Sequence, residues 1–366
     1  MDNVVISGMS IVTPLGLTKD QIWENLLQNK SGFSKIESFK LNNISSSIGG
    51  EIKEFINKNN KYIKILDLLI QNILIDSNLS KKDLKEICFS LGTTFIGIEN
   101  YSYKKINFFK SYLKNKYGFK EIIFNTNTCA AGNFAINIGA NLIKNNVFSK
   151  VICGGIDILT PYIFAGFENL RSLSSGEPKP FSKERDGLAL GEGGALLLIE
   201  SLCDTKIRKG KIYCEYGGFG ASVDNLGVTG MDKTGGGVIK CFQNLVENSK
   251  IEKEQIDLIS THSTATKLND KIEAESIIKI FPQKPHIQGF KSFWGHSMGA
   301  SSAIQAAILS LTFEKNILIK IRNLINLEFD LNYVTENIEK KINFGMINAF
   351  GFGGINSSLL LKRYNE

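Results

Sequence analysis

Proline, histidine and long apolar runs are what this sequence has least of. Its 366 residues hold 6 prolines, 3 histidines and 2 tryptophans. With so little proline and no Pro/Ser-rich stretch, nothing reads as a linker between independent domains. The three histidines are His262, His286 and His296, and the six cysteines (Cys88, Cys129, Cys153, Cys203, Cys214, Cys241) are scattered without a C-x-x-C pair. This argues against a zinc site, and no metal is expected. No H-E-x-x-H, P-loop or G-x-G-x-x-G occurs, which removes the commonest metalloprotease and nucleotide signatures. The longest mostly apolar stretch, Ile63 to Ile75, is broken by Lys64, Asp67, Gln71 and Asn72. A membrane helix needs ~20 apolar residues, so no span is expected. The first residues carry no basic start, apolar run and small-residue cleavage site. Unpaired cysteines in such a chain read as reduced thiols, so the expected location is cytoplasmic.

What is present is ordinary in bulk and unusual in detail. Hydrophobic residues make up 43% and charged residues 22%, which excludes a disordered chain, a collagen and a coiled coil. Glycine, at 34 residues, exceeds the typical share of ~7%. Glycine without proline points to tight turns and close backbone approach. The charge balance is 43 − 36 = +7, which favours an acidic partner. No motif interleaves aromatic and basic residues, so nucleic acid is not the expected one. At ~150 residues per domain the length alone suggests two or three domains.

Short apolar strands alternate with helices along the chain. Val4-Val5-Ile6 reads as a strand turning at Ser7-Gly8. Thr18-x-x-Gln21 fits a capping box before a helix that Gly32 would stop. Ile63 to Ile75 reads as a second helix. Ile87 to Ser90, Ile122 to Asn125, Val151 to Gly155 and Ala195 to Glu200 read as buried strands, with a small-residue helix from about Ala130 to Lys144. From about Lys211 the pattern restarts: a strand at Ile212 to Gly217, a helix at Val238 to Ser249, a strand at Ile256 to Thr261, and a small-residue helix at Gly299 to Phe313. The alternation implies an α/β protein with a mainly buried sheet. The two small-residue helices, each following a reactive residue (Cys129 and His296), suggest two similar halves with a site between them.

Four segments could carry chemistry. Cys129, in Asn125-Thr-Asn-Thr-Cys129-Ala-Ala-Gly132, sits at a strand-to-helix turn, where unpaired N–H groups favour a thiolate or an oxyanion. His262 follows a strand, among hydroxyls, in Ser260-Thr-His262-Ser263-Thr264-Ala265-Thr266. Lys291 and His296 lie five apart in Lys291-Ser-Phe-Trp-Gly295-His296. Asn348-Ala-Phe350-Gly351-Phe352-Gly353-Gly354 is a glycine-rich turn after a strand. Each alone is unremarkable: a buried thiol, a satisfied histidine, a capped helix, a turn. Together, a cysteine nucleophile, two imidazoles and a lysine suit thioester chemistry. A lysine beside imidazoles keeps them neutral or fixes their hydrogen bonding.

These segments, in this order, resemble the β-ketoacyl-[acyl-carrier-protein] synthases with a Cys-His-His site, a branch of the thiolase superfamily. Lys179-Pro-Phe-Ser-Lys-Glu-Arg185-Asp-Gly187 and Gly191-Glu-Gly-Gly194 resemble further family segments, and the likeness covers nearly the whole chain. The resemblance implies a thiolase-like fold, with duplicated βαβαβαββ halves in a five-layered αβαβα sandwich. The halves would be residues 1–205, bearing the cysteine, and 206–366, bearing His/Lys/His, in one compact unit. It implies a decarboxylative Claisen condensation, with the acyl group on Cys129 and malonyl-acyl-carrier protein as the extender. His262 and His296 would hold the enolate oxygen and Lys291 would support them. The N–H groups of Cys129 and Phe352 would form the oxyanion hole, with Phe352 also a gate over the acyl pocket. Asp270 and Glu273 match carboxylates near the lysine, and Thr264 and Thr266 match hydroxyls on the pantetheine arm. Lys61, Lys64 and Lys179 are candidates for the surface that meets the acidic carrier. No bound cofactor is implied, since substrates ride on the carrier's phosphopantetheine. A homodimer, or a heterodimer with a ketosynthase homologue, is expected.

Several departures from the family pattern stand out. Ser263 and Ala265 replace glycines of T-H-G-T-G-T, Thr128 replaces alanine before the cysteine, and Gly299-Ala-Ser301-Ser302 replaces Gly-Ala-Ala-Gly. The chain is shorter than typical members, mostly between Gly16 and Gly92 and around Leu173 to Pro180. Together these suggest a specialised-pathway enzyme. A non-catalytic chain-length-factor-like partner usually lacks the cysteine kept here. A thiolase acting on coenzyme A would need a second cysteine after Met346, where there is none. An initiating Cys-His-Asn synthase would carry asparagine where His296 stands.

Overall fold

The computed structural model describes residues 3–40, 46–56, 58–96, 105–227 and 230–365. Eleven strands form the main sheet. They are β1 Val4–Val12, β2 Cys88–Gly92, β3 Glu121–Asn125, β4 Lys150–Asp157, β5 Gly193–Ser201, β6 Cys214–Val223, β7 Leu258–Ser260, β8 His286–Gln288, β9 Asn332–Tyr333, β10 Phe344–Gly351 and β11 Ile355–Lys362. The helices are α1 Lys19–Leu27, α2 Lys61–Ser77, α3 Lys105–Tyr117, α4 Ala131–Lys144, α5 Pro161–Asn169, α6 Leu202–Ile207, α7 Gly236–Ser249, α8 Lys267–Ile280, α9 Lys291–Trp294 and α10 Ser301–Lys315.

Strand order in space is β9-β8-β7-β10-β11-β6-β1-β5-β4-β2-β3. The same order occurs twice. In β1 to β5, the first strand pairs antiparallel with the fifth, the fifth antiparallel with the fourth, and the fourth, second and third run parallel. Strands β6, β7, β8, β10 and β11 repeat this pattern. A short antiparallel pairing of β1 with β6 (Val5 with Glu215, Ile6 with Cys214) joins the two sets.

The layers follow from which face each residue takes. Along β5, Ala195, Leu197 and Ile199 join the central core, while Leu196 and Leu198 join an outer core with α2 and α3. Along β11, Leu359 and Leu361 turn inward and Leu360 turns outward to α7 and α8. Strands buried on both faces need the continuous apolar runs seen here. Between the two strand sets lie α4 and α10, packed on each other. Residues Ser301 to Phe313 of α10 are all buried, as a helix in the middle layer requires. The close crossing depends on Gly132, where a Cβ would sit 2.6 Å from Ser302 Oγ. This is the thiolase-type αβαβα arrangement. No helix among the described residues is long and apolar enough to cross a membrane.

Three local expectations change. Ser7-Gly8 is no turn: β1 continues to Val12, with only a register shift between Ile6 and Gly8. The reason is that β5 stays paired with it past this point, as far as Val12. Helix α1 ends at Leu27, short of Gly32, because Asn29 supplies the left-handed residue (φ 55°). The capping box is half made: Thr18 accepts from Gln21 N–H, but Gln21 Oε1 accepts from Leu17 N–H. Residues 41–45 and 57, in one of the shortened stretches, lie outside the described residues.

Candidate active site

The two middle-layer helices carry the site. Strand β3 runs into a single 3-10 turn, Thr128–Ala130, and then α4. Thr128 adopts φ 48°, a left-handed conformation that is costly for a β-branched residue. The turn points Cys129 into a cleft. On the other half, α9, a 3-10 turn (Met298–Ala300) and α10 follow each other, with His296 in between. His296 is fixed by its backbone: its N–H donates to Ala189 O (2.8 Å) and its carbonyl accepts from Gly191 N–H (3.1 Å). Gly191 permits this contact, since a Cβ there would meet Trp294 O at 2.1 Å.

The side chains converge. His296 Nε2 lies 3.1 Å from Cys129 Sγ, and its Nδ1 lies 2.9 Å from Ser301 Oγ. The His262 ring stands edge-on to His296, centroids 5.3 Å apart, and 5.6 Å from the Phe350 ring. Cys129, His262, His296 and Lys291 are all buried. The cleft is lined by Cys129, both histidines, Thr264, Thr266, Phe167, Phe350 and Phe352, among others. The hydroxyls of Thr264 and Thr266 are 3.0 Å apart.

Burial sets the protonation states. It drives both imidazoles well below the ordinary histidine value, and the positive Lys291 nearby adds to this. Both are therefore neutral at pH 7. The Cys129 thiol is pushed up to about 12 by burial, opposed by Lys291 and by the N–H groups of Phe352 and Cys129 itself. The helix-end thiolate expected from the sequence is thus outweighed by desolvation, and the resting sulfur is protonated. Burial lowers Lys291, restrained first by the charge of Glu273, and raises Glu273, restrained by the hydrogen bonds it accepts. Glu273 accepts from the N–H groups of His262 (2.8 Å) and Ser263 (2.9 Å) and from Asn348 Nδ2 (3.0 Å). It therefore holds the His262 backbone as well as facing Lys291. Asp270 accepts from Phe181 N–H, Ala265 N–H and Asn269 Nδ2.

The family's glycine turn survives without its glycines. Ser263 and Ala265 take φ 35° and 63°, left-handed values a glycine would adopt at no cost. Gly289 gives room for the Ser263 side chain, because a Cβ there would lie 2.4 Å from its Oγ. Ser302, another departure, accepts from Asn133 N–H at 2.9 Å and so serves the start of α4.

One expected surface residue is corrected. Lys61 is buried and ion-paired with buried Glu192 at 2.5 Å, so it presents no charge to a carrier. Its pairing with a carboxylate that would otherwise be buried alone explains the placement. Lys64 is exposed and Lys179 is half-buried. Other residues of the site gave no signal in the sequence. Asp157 is buried and accepts from Thr93 Oγ1 (2.8 Å), Thr94 N–H and Gly299 N–H (2.8 Å), tying the turn after His296 to the end of β2. Phe167 stacks on Phe352, centroids 5.5 Å apart. Ser301 could have been found from its position five residues after His296, at a helix start.

Models of the beta-ketoacyl synthase N-terminal domain match residues 1–66 and 121–205, and of its C-terminal domain residues 213–325. The chain belongs to the β-ketoacyl synthase family. It is 30% identical to 3-oxoacyl-[acyl-carrier-protein] synthase 2 of Coxiella burnetii, covering 98% of each chain. It is also 30% identical to the chloroplastic 3-oxoacyl-[acyl-carrier-protein] synthase II of Arabidopsis thaliana, covering 99% of this chain and 76% of that one. Among solved structures, a chain of a type II polyketide acyl-carrier protein–ketosynthase complex superposes with TM-score 0.91 at 24% identity, over 99% of this synthase and 100% of that chain. A chain of the ishigamide ketosynthase/chain length factor gives TM-score 0.89 at 24% identity over the full length of both.

Proposed function

We propose that this synthase joins an acyl group, carried on Cys129, to malonyl-acyl-carrier protein and releases CO₂ and a β-ketoacyl-carrier. The observation that carries the reading is the buried trio: a thiol 3.1 Å from one neutral imidazole, with a second imidazole edge-on to the first. In the first step the Cys129 thiol gives its proton to His296 Nε2 and the sulfur bonds to the carbonyl carbon of an acyl thioester. The oxyanion faces the N–H groups of Cys129 and Phe352. Collapse breaks the bond to the pantetheine sulfur, which leaves with the proton from His296. In the second step the malonyl thioester loses CO₂, and the bonding pair becomes an enolate whose oxygen is held by His262 and His296. The enolate carbon attacks the acyl-cysteine, the Cys129 thiolate leaves, and it takes a proton from solvent water to restore the resting thiol. Ser301 can donate to His296 Nδ1 or accept from it, so it suits either tautomer that the two steps require.

Thr264 and Thr266 hold the pantetheine arm in this reading; Lys291 helps burial keep the imidazoles uncharged, while Glu273 and Asp270 hold the backbone around His262 in place. Lys64 and Lys179 remain candidates for steering an acidic carrier. The repeated strand order supports a division into halves at residues 1–205 and 206–366. The enzyme works in the cytoplasm without a bound cofactor, as a homodimer or with a homologous partner. The structural likeness to ketosynthases that pair with a chain length factor favours the second arrangement as the alternative. Because Cys129 and its imidazoles are present, this chain would be the catalytic member. The test is intact-mass measurement after incubation with acyl-carriers of varied length. An acyl adduct that Cys129→Ala abolishes is expected, and a folded protein taking no acyl group from any carrier would refute the reading.

A further inference from the structure

Beside the nucleophile, Thr128 Oγ1 donates to the carbonyl of Phe352 at 3.2 Å, linking residues 224 apart in sequence. The contact is built on both sides. A Cβ at Gly351 would lie 2.1 Å from Thr128 Oγ1, so the hydroxyl occupies the space that this glycine leaves open. Thr128 takes its strained φ of 48° here, which aims the hydroxyl across the turn. The Phe352 N–H faces Cys129 Sγ, and its ring stacks on Phe167 at 5.5 Å, walling the cleft next to the sulfur. The other side of the hairpin is tied at Gly354, whose carbonyl accepts from Asp224 N–H (2.9 Å) and Asn356 Nδ2 (3.3 Å). Between these ties lies exposed Gly353, at φ 83° with open space around the position of a Cβ. Phe352 itself is thus held by its ring stacking, by its N–H against Cys129 Sγ and by the Thr128 bond.

We propose that Thr128 is a positioning and specificity-determining residue: its hydroxyl latches Phe352 over Cys129, and the latch must open for a long acyl chain to lie beside the sulfur. A short acyl group fits without moving the ring. A long one requires the Phe352 peptide to rotate, which breaks the bond to Thr128. The inference rests on the condensing reading for its consequence, but the latch itself does not depend on turnover. A neutral hydrogen bond of ordinary net strength corresponds to about a five-fold change in rate or equilibrium.

Three variants separate the hydroxyl from the shape. Thr128→Val keeps the branch and loses the hydroxyl, Thr128→Ser keeps the hydroxyl and loses the methyl, and Thr128→Ala loses both. The first readout is alkylation of Cys129 by iodoacetamide and by its N-dodecyl derivative, followed by intact mass and peptide mapping, with exposed Cys203 replaced by serine. The second is acyl transfer from acetyl- and dodecanoyl-carrier protein. Val and Ala are expected to raise the long-to-short rate ratio about five-fold, with Ser staying near the parent value. If Ser moves with Ala while Val does not, shape rather than the hydroxyl is responsible and the proposal fails. It also fails if no variant changes either ratio. If the alkylation ratios follow the expected pattern while no carrier acylates the parent protein, the latch stands and the condensing reading falls.

Discussion

Glu273→Gln tests the electrostatic frame of the site. In the native structure Glu273 Oε1 accepts from His262 N–H and Asn348 Nδ2, and Oε2 accepts from Ser263 N–H. Glutamine keeps one oxygen and turns an NH₂ toward an N–H donor. One charge-assisted bond is lost, costing about 1.5–3 kcal/mol, and a buried N–H is left without an acceptor, costing about 1–3 kcal/mol. Part of this is offset, because burial already disfavours the Glu273 charge. The net expectation is a loss of about 2–4 kcal/mol. An unfolding entropy of about 2.1 cal/mol/K per residue gives this 366-residue chain about 0.8 kcal/mol/K. The expected fall in Tm is therefore about 3–5 °C by scanning calorimetry. Function should suffer too, since the His262 backbone hangs on the same carboxylate and Lys291 loses a charge that sustains its own. Malonyl-carrier decarboxylation, measured in a Cys129→Gln background, should fall at least ten-fold. A Glu273→Gln protein that melts within 1 °C of the parent and decarboxylates at the parent rate would refute this account.

Three further outcomes are expected. Both site histidines are held neutral on folding, so each contributes stability that is full above its unfolded value of about 6.5 and falls as pH drops, by about 1.4 kcal/mol per unit. Asp157, raised to about 6 by burial, acts oppositely, since its contribution is present at low pH and lost as pH rises through about 6. His296→Gln should therefore flatten the fall of Tm between pH 6.5 and 5.0, and an unchanged slope would count against neutral burial. Lys61→Met strands the Glu192 carboxylate and should cost about 3–5 kcal/mol in urea unfolding at pH 7. The double variant Lys61→Met/Glu192→Gln should cost less than the sum of the singles, and strict additivity would deny the pairing. Gly191→Ala drives a Cβ toward Trp294 O and should displace the Lys291–His296 segment, lowering decarboxylation about 100-fold while circular dichroism stays native. Parent-level decarboxylation would show that the segment tolerates the shift.

Local pattern carried much of the fold because strands such as β1, β2, β4 and β5 are buried on both faces and therefore read as largely apolar runs. Leu196 and Leu198 serve one layer while Leu197 and Ile199 serve the next, and the sequence shows only that all four are apolar. Helix α8 is harder to read from the sequence than the strands are. In α8, Asn269, Asp270, Glu273 and Ser276 are buried beside Ile272 and Ile277. Its inward face is partly polar because it serves the site, so an apolar stripe was never written there.

The chemistry-bearing residues were legible for a related reason. Cys129, His262, Lys291 and His296 each sit where a strand ends or a helix begins, and such places are marked locally by apolar runs followed by small or polar residues. What the sequence determined by itself was therefore the inventory of the site, its order along the chain and the duplicated architecture. The tertiary structure decided what each group experiences. Lys61 and Lys64 lie three residues apart on one helix, yet one is sealed against Glu192 and the other is solvated. The helix-end thiolate gave way to a protonated thiol because desolvation depends on everything packed around the sulfur. The tie from Thr128 to Phe352 spans 224 residues and that from Asp157 to Gly299 spans 142. Burial and hydrogen bonds at such separations are properties of the packed layers, and no local stretch of chain encodes them.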